Sequence, residues 1–242
     1  MLLVVRALLL GLILVFGFVF ALLLCLVRPR HRNNVHVFAK LCSWIAPILG
    51  VKVVMRGSEE KGERPTIFTA NHQNTFDMFT LTRAVPKATV SLGKKSLAWI
   101  PFFGQLYYLT GNILIDRGNR TRAMQTMAKT AAKIKQRMLS VWIFPEGTRS
   151  RGRGILPFKT GAFHTAIQAG VSITPVIASC QSHIKLNRWN NGVVIVEMLK
   201  PIATEGLSRD DVRALAEKVR ERMQSVFERN SAEAKRLMLG TA

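Results

Sequence analysis

Thr66-Ile67-Phe68-Thr69-Ala70-Asn71-His72-Gln73-Asn74-Thr75-Phe76-Asp77 changes character midway, and that change decides how the chain folds. Residues 66–70 are β-branched and aromatic and read as a short strand. The apolar spacing of Phe76, Met78, Phe79, Leu81 and Val85 predicts a helix over 75–85. His72 then leaves a strand and Asp77 lies in a first helical turn. Within one continuous helix, five positions would turn the two side chains about 140° apart, so they meet only if the chain bends between them. A strand-to-helix turn supplies the bend. A carboxylate at a helix start sits in the positive end of the dipole, where it can hold one imidazole nitrogen and leave the other free as a base. This is the base-and-orienter part of a hydrolytic triad without its serine, which suits a nucleophile that arrives with the substrate, such as an alcohol. By itself His-x4-Asp is a weak pattern, and its weight comes from the rest of the chain.

Outward from this turn, apolar runs alternate with helical patterns. Strands are expected at 51–55, 66–70, 88–92, 112–115, 140–144, 173–178 and 193–198, several of them continuously apolar, as in a sheet covered on both faces. Helices are expected at 75–85, 119–138 and 160–169, and Ser208 is expected to cap a last helix with Asp211 at the capping-box position. The class is α/β, with a largely parallel or mixed sheet flanked by helices.

Residues 7–27 carry no charge, about 31 Å of helix, which matches the hydrocarbon thickness of a bilayer. The segment is too long for a signal-peptide core and has no small-x-small cleavage site, so it is expected to be retained, either spanning or anchoring. Arg28, Arg30 and Arg32 follow it, against Arg6 and the amino terminus before it, which places the remainder on the cytoplasmic side. Residues 35–49 are apolar except for a stripe of His36, Lys40 and Ser43, and read as a second helix in or dipping into one leaflet. The competing reading is a core helix of the α/β body. The expected organisation is a membrane-anchoring or interfacial helical motif over 1–50 and an α/β domain over 51–242. Residues 94–111 join two lysines to a dense aromatic run and are read as an interfacial segment that opens toward lipid rather than as core.

The net charge of +21 over 242 residues and the pI near 11.1 suit an anionic membrane surface, nucleic acid or an acidic partner. Between residues 78 and 204 the only acids are Asp116, Glu146 and Glu197, so each needs a reason. Cys25, Cys42 and Cys180 form neither a disulfide framework nor a metal spacing. Asn112-Ile113-Leu114-Ile115-Asp116-Arg117 ends one strand with an acid and a base, and Phe144-Pro145-Glu146-Gly147-Thr148-Arg149-Ser150 ends another. Ligand sites in open α/β sheets gather beyond the carboxyl ends of strands, so His72, Asp116-Arg117 and the 146–149 turn are candidates to converge. The arginines offer planar forks for phosphate oxygens.

In order, Asn71-His72-x4-Asp77, the 111–117 run, Phe144-Pro-Glu-Gly-Thr-Arg-Ser150 and Val171-Ser-Ile-Thr-Pro175-Val176 resemble the four motifs of the glycerolipid acyltransferases, in particular of bacterial members that acylate 1-acyl-sn-glycerol 3-phosphate. The resemblance covers essentially the whole chain, including 93–104, and departs at Ser172, where the fourth motif usually has a first proline. It implies that His72, oriented by Asp77, takes the proton from the sn-2 hydroxyl of a lysophosphatidic acid as that oxygen attacks an acyl thioester, carried by coenzyme A or acyl-carrier protein. It implies glycerophosphate binding by Asp116 and Arg117 of the second motif and by Glu146, Gly147, Thr148 and Arg149 of the third, with Lys94 or Lys95 adding positive charge. It also implies no metal and no organic cofactor, a site at the cytoplasmic face of the bacterial inner membrane, and contact with membrane lipids.

Other classes fit less well. A nucleic-acid binder would not place carboxylates at strand ends in so basic a stretch, because they repel phosphate backbones. A metal-dependent phosphatase built on His72, Asp77, Asp116 and Glu146 lacks any ligand pair with metal-site spacing. Cys180 and His183 as nucleophile and base read as an incidental pair.

Overall fold

All five residues of the 66–70 run are buried, because the strand they form lies in the middle of a seven-stranded sheet. The computed structural model describes residues 1–57 and 65–240. In chain order it contains α1 (Leu2–Val27), α2 (Asn34–Ser43), α3 (Ile45–Ile48), β1 (Lys52–Gly57), β2 (Thr66–Ala70), α4 (Asp77–Thr80), β3 (Thr89–Lys94), α5 (Phe103–Leu109), β4 (Ile113–Ile115), α6 (Arg120–Arg137), β5 (Ser140–Ile143), α7 (Gly161–Ala169), β6 (Ser172–Ala178), β7 (Val193–Met198) and α8 (Val212–Leu239). Short 3-10 turns cover Thr82–Ala84 and Lys95–Trp99.

The strand order is β1-β7-β6-β2-β5-β3-β4. The five strands from β6 to β4 run parallel, β7 is antiparallel to β6, and β1 is parallel to β7. The sheet is therefore mixed, with its parallel part at the centre. Successive residues of the central strands feed two cores. Ile67, Val141 and Ile173 join α6, α7 and α8 on one face, while Phe68, Trp142 and Val176 join α2, α3 and the Leu81 turn on the other. Burial on both faces is why these strands are continuously apolar.

Three expectations need correction. The 75–85 helix is only α4 followed by a 3-10 turn. Thr80 and Thr82 hydroxyls donate back to the carbonyls of Phe76 and Met78, a local competition with helix continuation, and Pro86 holds Val85 extended. The single helix over 35–49 is two. Pro47 has no N–H for the carbonyl of Ser43 and its ring crowds that carbonyl, so the chain breaks at Trp44. The inner faces of both pieces, Ala39, Ile45, Ala46 and Leu49, belong to the core. The last helix starts at Val212 rather than beside Ser208, whose N–H and hydroxyl both donate to Asp211 Oδ2 at 2.8 Å in a turn that precedes it.

Among the described residues α1 alone is long and apolar enough to cross a membrane. Both of its ends are fastened to the α/β body. Arg6, 4% exposed, donates to the carbonyls of Ile48, Leu186, Arg188 and Trp189. At the other end Arg30 N–H donates to Leu109 O and Arg32 to Met138 O. Between them Leu10 and Ile13 pack on the core and Phe18 meets Phe102 edge-on at 5.1 Å. The outer face, from Leu3 to Val27, is exposed leucine, valine and phenylalanine.

Candidate active site

β2 and β5 are neighbours, with Thr69 opposite Ile143, so the chain leaves both strands at the same edge of the sheet. The first motif starts at Asn71, whose side chain donates to Ala178 O and accepts from Ala178 N, fixing the exit of β2 to the end of β6. Gln73 continues this clamp through Ala178 O and Ser179 O. Asn74 Oδ1 accepts the N–H of Phe76 at 2.8 Å, an Asx turn that makes the bend the sequence required.

That bend brings His72 Nδ1 to 2.7 Å from Asp77 Oδ2. Asp77 is 3% exposed, yet four donors meet its carboxylate. Gln73 N and Asn74 N lie 2.7 and 3.1 Å from Oδ2, and Gln181 Nε2 lies 2.9 Å from Oδ1. A carboxylate only accepts, so Nδ1 carries the imidazole proton and Nε2 presents a lone pair. The ring stacks on Phe144 with centroids 4.2 Å apart, which leaves it a single orientation. It is partly open to solvent. This arrangement can remove a proton and return it.

The third motif is joined to the first through the backbone. Glu146 Oε1 accepts His72 N–H at 2.7 Å and Oε2 accepts Leu156 N–H at 3.1 Å. In return Ser150 N donates to His72 O and Arg151 N to Gln73 O. Burial pushes the Glu146 carboxyl up to about 7, and Asp77 adds to the rise, against the two backbone N–H bonds and Arg153, which pull it down. Gly147 turns at φ +70°, and a Cβ there would come within 2.9 Å of Lys159 Cε, so glycine answers both the backbone and the close approach.

Arg117 leaves β4 and donates Nη1 to Gly147 O at 2.5 Å. Burial lowers its proton affinity, opposed by Tyr107. Asp116 faces away, accepting Gly118 N–H at 3.2 Å and pairing with Arg122 at 3.6 Å. Thr148 and Arg149 are exposed on the turn after Gly147, and Lys94 and Lys95 are exposed at the end of β3. Arg149, Lys94, Lys95 and Lys159 have no side-chain partner among the described residues; Lys159 lies beside Gly147, and Lys94 ends β3 at the edge of the sheet where His72 leaves β2. The remaining acid, Glu197, binds Arg229 and Asn230 of α8.

Sequence reasoning missed Gln73, Gln181, Phe144 and Lys159. The two glutamines are uncharged and 108 positions apart, and nothing local marks them. Phe144 opens the third motif and Lys159 follows it, and only the fold shows their contacts with His72 and Gly147. Cys180 Sγ lies 3.1 Å from Ser182 Oγ, not from an imidazole.

Residues 52–179 match the acyltransferase family profile. The chain is 52% identical over 217 residues to the 1-acyl-sn-glycerol-3-phosphate acyltransferase of Escherichia coli K12, covering 89% of this chain and 87% of that one. It is 35% identical over 221 residues to the human 1-acyl-sn-glycerol-3-phosphate acyltransferase alpha, covering 90% and 78%. The crystal structure of the 1-acyl-sn-glycerophosphate (LPA) acyltransferase PlsC from Thermotoga maritima superposes with a TM-score of 0.72 at 25% identity, covering 94% of this chain and 95% of that one. With a base-and-carboxylate pair at the strand ends and relatives at this level of identity along nearly its whole length, the chain belongs to the acyltransferase family.

Proposed function

We propose that this protein moves a fatty acyl chain from an acyl thioester, acyl-CoA or acyl-carrier protein, to the sn-2 hydroxyl of 1-acyl-sn-glycerol 3-phosphate, giving phosphatidic acid. The observation that carries the proposal is the His72–Asp77 pair, whose Nε2 has no partner among the described residues, at a sheet edge where Lys94 and the 146–149 turn also end. As the hydroxyl oxygen forms its bond to the thioester carbonyl carbon, Nε2 takes the hydroxyl proton and Asp77 stabilises the imidazolium. Collapse of the tetrahedral oxyanion breaks the C–S bond, and the proton on Nε2 leaves with the thiolate. Neither a metal nor an organic cofactor enters the balance.

Arg149, with help from Lys94, Lys95 and Lys159, binds the acceptor's phosphate. Arg117 fixes the Glu146–Gly147 turn through the Gly147 carbonyl and offers its remaining N–H groups. Glu146 positions His72, and Asp116 sets the start of α6. Residues 1–50 attach the protein to the membrane, and Arg28, Arg30 and Arg32 after the apolar run favour the cytoplasmic face of the bacterial inner membrane.

The test is acyl transfer by the purified protein in detergent, with lysophosphatidic acid, glycerol 3-phosphate and uncharged lysolipids in competition. Lysophosphatidic acid should be the preferred acceptor, and His72→Ala should lower turnover at least about 100-fold in a folded protein. Preference for an uncharged acceptor, or near-normal turnover by His72→Ala, would overturn the proposal.

A further inference from the structure

α6 begins three residues after Arg117 and ends at Arg137, about 27 Å away along its axis, beside the start of β5 and therefore at the opposite end of the sheet from His72. There the turn that follows α1 and the last turn of α6 line an open hollow of about 530 Å³. Arg28, Arg30, Arg32 and Arg137 line it, and Lys133 borders the adjoining hollow with Arg30.

These cations are held by neutral groups. Arg32 donates to Met138 O at 2.9 Å, Arg137 to Arg30 O at 3.5 Å and Lys133 to Gly111 O at 3.4 Å, while Arg30 stacks on Tyr108 at 4.7 Å. The buried Arg28 Nε has no partner among the described residues. There is no acid in residues 1–58 or 117–145. Burial, then Arg30 and Arg137, lower the proton affinity of Lys133, the response of an ammonium that is partly desolvated first and crowded by like charge second. Among the described residues no acid pairs with this cluster, and a cluster of this kind is stabilised by an anion.

We propose that this cleft binds the phosphate headgroup of an anionic glycerophospholipid from the surrounding leaflet, at a site separate from acyl transfer. Two observations choose a lipid over a protein or a nucleic acid. Arg28 directly follows α1, whose outer face is exposed leucine, valine and phenylalanine, so the cleft borders the face turned to the membrane surface, where headgroups lie. Its volume fits a phosphate and its glycerol, whereas a carrier protein or a duplex requires a broad surface. Occupancy ties the β4 edge to the bilayer and gives the enzyme a preference for anionic membranes.

The experiment titrates the full-length protein in an uncharged detergent with dihexanoyl phosphatidylglycerol, dihexanoyl phosphatidylcholine or sodium phosphate, with bound molecules counted by native mass spectrometry. Wild type should hold one phosphatidylglycerol at least about tenfold tighter than phosphatidylcholine. Arg32→Gln with Arg137→Gln should weaken phosphatidylglycerol roughly tenfold to thirtyfold, with acyl transfer in the same detergent within about twofold of wild type. Gln136→Glu removes no arginine and places a competing carboxylate in the cleft, so it should weaken phosphatidylglycerol too and covers the case where the double variant does not fold. Equal binding of the two lipids, or undiminished phosphatidylglycerol on Gln136→Glu, overturns the proposal. So does displacement of the lipid by an equal concentration of inorganic phosphate, or variants that lose binding of an acidic carrier protein but keep the lipid.

Discussion

Gln181→Met removes one donor from a carboxylate that has four, and the consequence can be sized from the contacts. Gln181 is fully buried, its amide Nε2 reaches Asp77 Oδ1 at 2.9 Å, and its Oε1 accepts the Thr80 hydroxyl at 3.1 Å. Methionine fills a similar volume without either group. Thr80 keeps a second acceptor in Phe76 O, so the loss falls on Asp77 Oδ1, left buried and unpaired. A hydrogen bond to a charged group contributes about 1.5–3 kcal/mol, and stability should fall by about that much. The three donors on Oδ2, His72 among them, remain, so the imidazole keeps its tautomer and loses only part of its restraint. Turnover should drop roughly tenfold, about 1.4 kcal/mol, while KM for both substrates stays within about twofold. The assay is steady-state transfer by Gln181→Met, Asp77→Asn and the double variant in one detergent. Because both changes act through the same carboxylate, the double variant should be no slower than Asp77→Asn alone. Wild-type turnover in Gln181→Met, or losses that multiply in the double variant, would show that Gln181 does not act through Asp77.

Arg149→Lys should raise the apparent KM for lysophosphatidic acid more than it lowers turnover, since it keeps the charge but loses the bidentate fork. Equal losses toward charged and uncharged acceptors would remove Arg149 from the phosphate site. Glu146 contributes to the pH dependence of stability with a definite sign. Its carboxyl rises from the ordinary 4.5 to about 7 in the folded protein, so the folded state holds the extra proton between those values, and stability falls by up to about 3 kcal/mol as pH rises through that window. The difference in thermal unfolding between wild type and Glu146→Gln from pH 4.5 to 8 should show this slope, and a constant difference would contradict it. Arg6→Leu leaves four carbonyls without their donor and should cost at least about 3 kcal/mol. The clamp also requires a cysteine at Leu2 and one at Arg32 to react with an impermeant thiol reagent from the same side of a vesicle, and reaction from opposite sides would show that α1 crosses the bilayer.

Strands 66–70 and 193–198 coincide with expectation because each is a short β-branched run between turn residues, and burial agrees with the local preference. The His72–Asp77 contact was legible for a stronger reason: five positions can be reconciled only by a bend, and Asn74 provides it. What local reading could not supply came from strand order. Gln181 reaches Asp77 because β6 lies beside β2, and Arg117 finds Gly147 because β4 and β5 flank β3. Pro47 shows a readable signal that was outweighed by apolar periodicity. Arg6 is a further case, since a single arginine in an apolar run reads as a topology signal until the four carbonyls that enclose it are in view.

Those same contacts bear on how an acceptor could reach the base. Lys94 ends β3 at the edge of the sheet where His72 leaves β2, and the chain then passes directly into Trp99, 82% exposed, and Phe102, 67% exposed, before α5 carries it back to Arg30. Phe102 holds φ +64° at the start of α5, an uncommon conformation for a non-glycine residue, and its ring meets Phe18 of α1. One segment therefore begins at an exposed lysine and continues along the apolar helix. On the proposed reading, lysophosphatidic acid can keep its acyl chain against Trp99, Phe102 and the outer face of α1 while its phosphate sits among Lys94, Lys95 and Arg149. Withdrawing a 16-carbon chain into water would cost on the order of 0.8 kcal/mol per methylene, more than 10 kcal/mol in all. An enzyme whose cations adjoin its lipid-facing surface avoids that step, so shortening the acceptor's chain should reduce kcat/KM in micelles more steeply for wild type than for a variant with Trp99 and Phe102 replaced by serine.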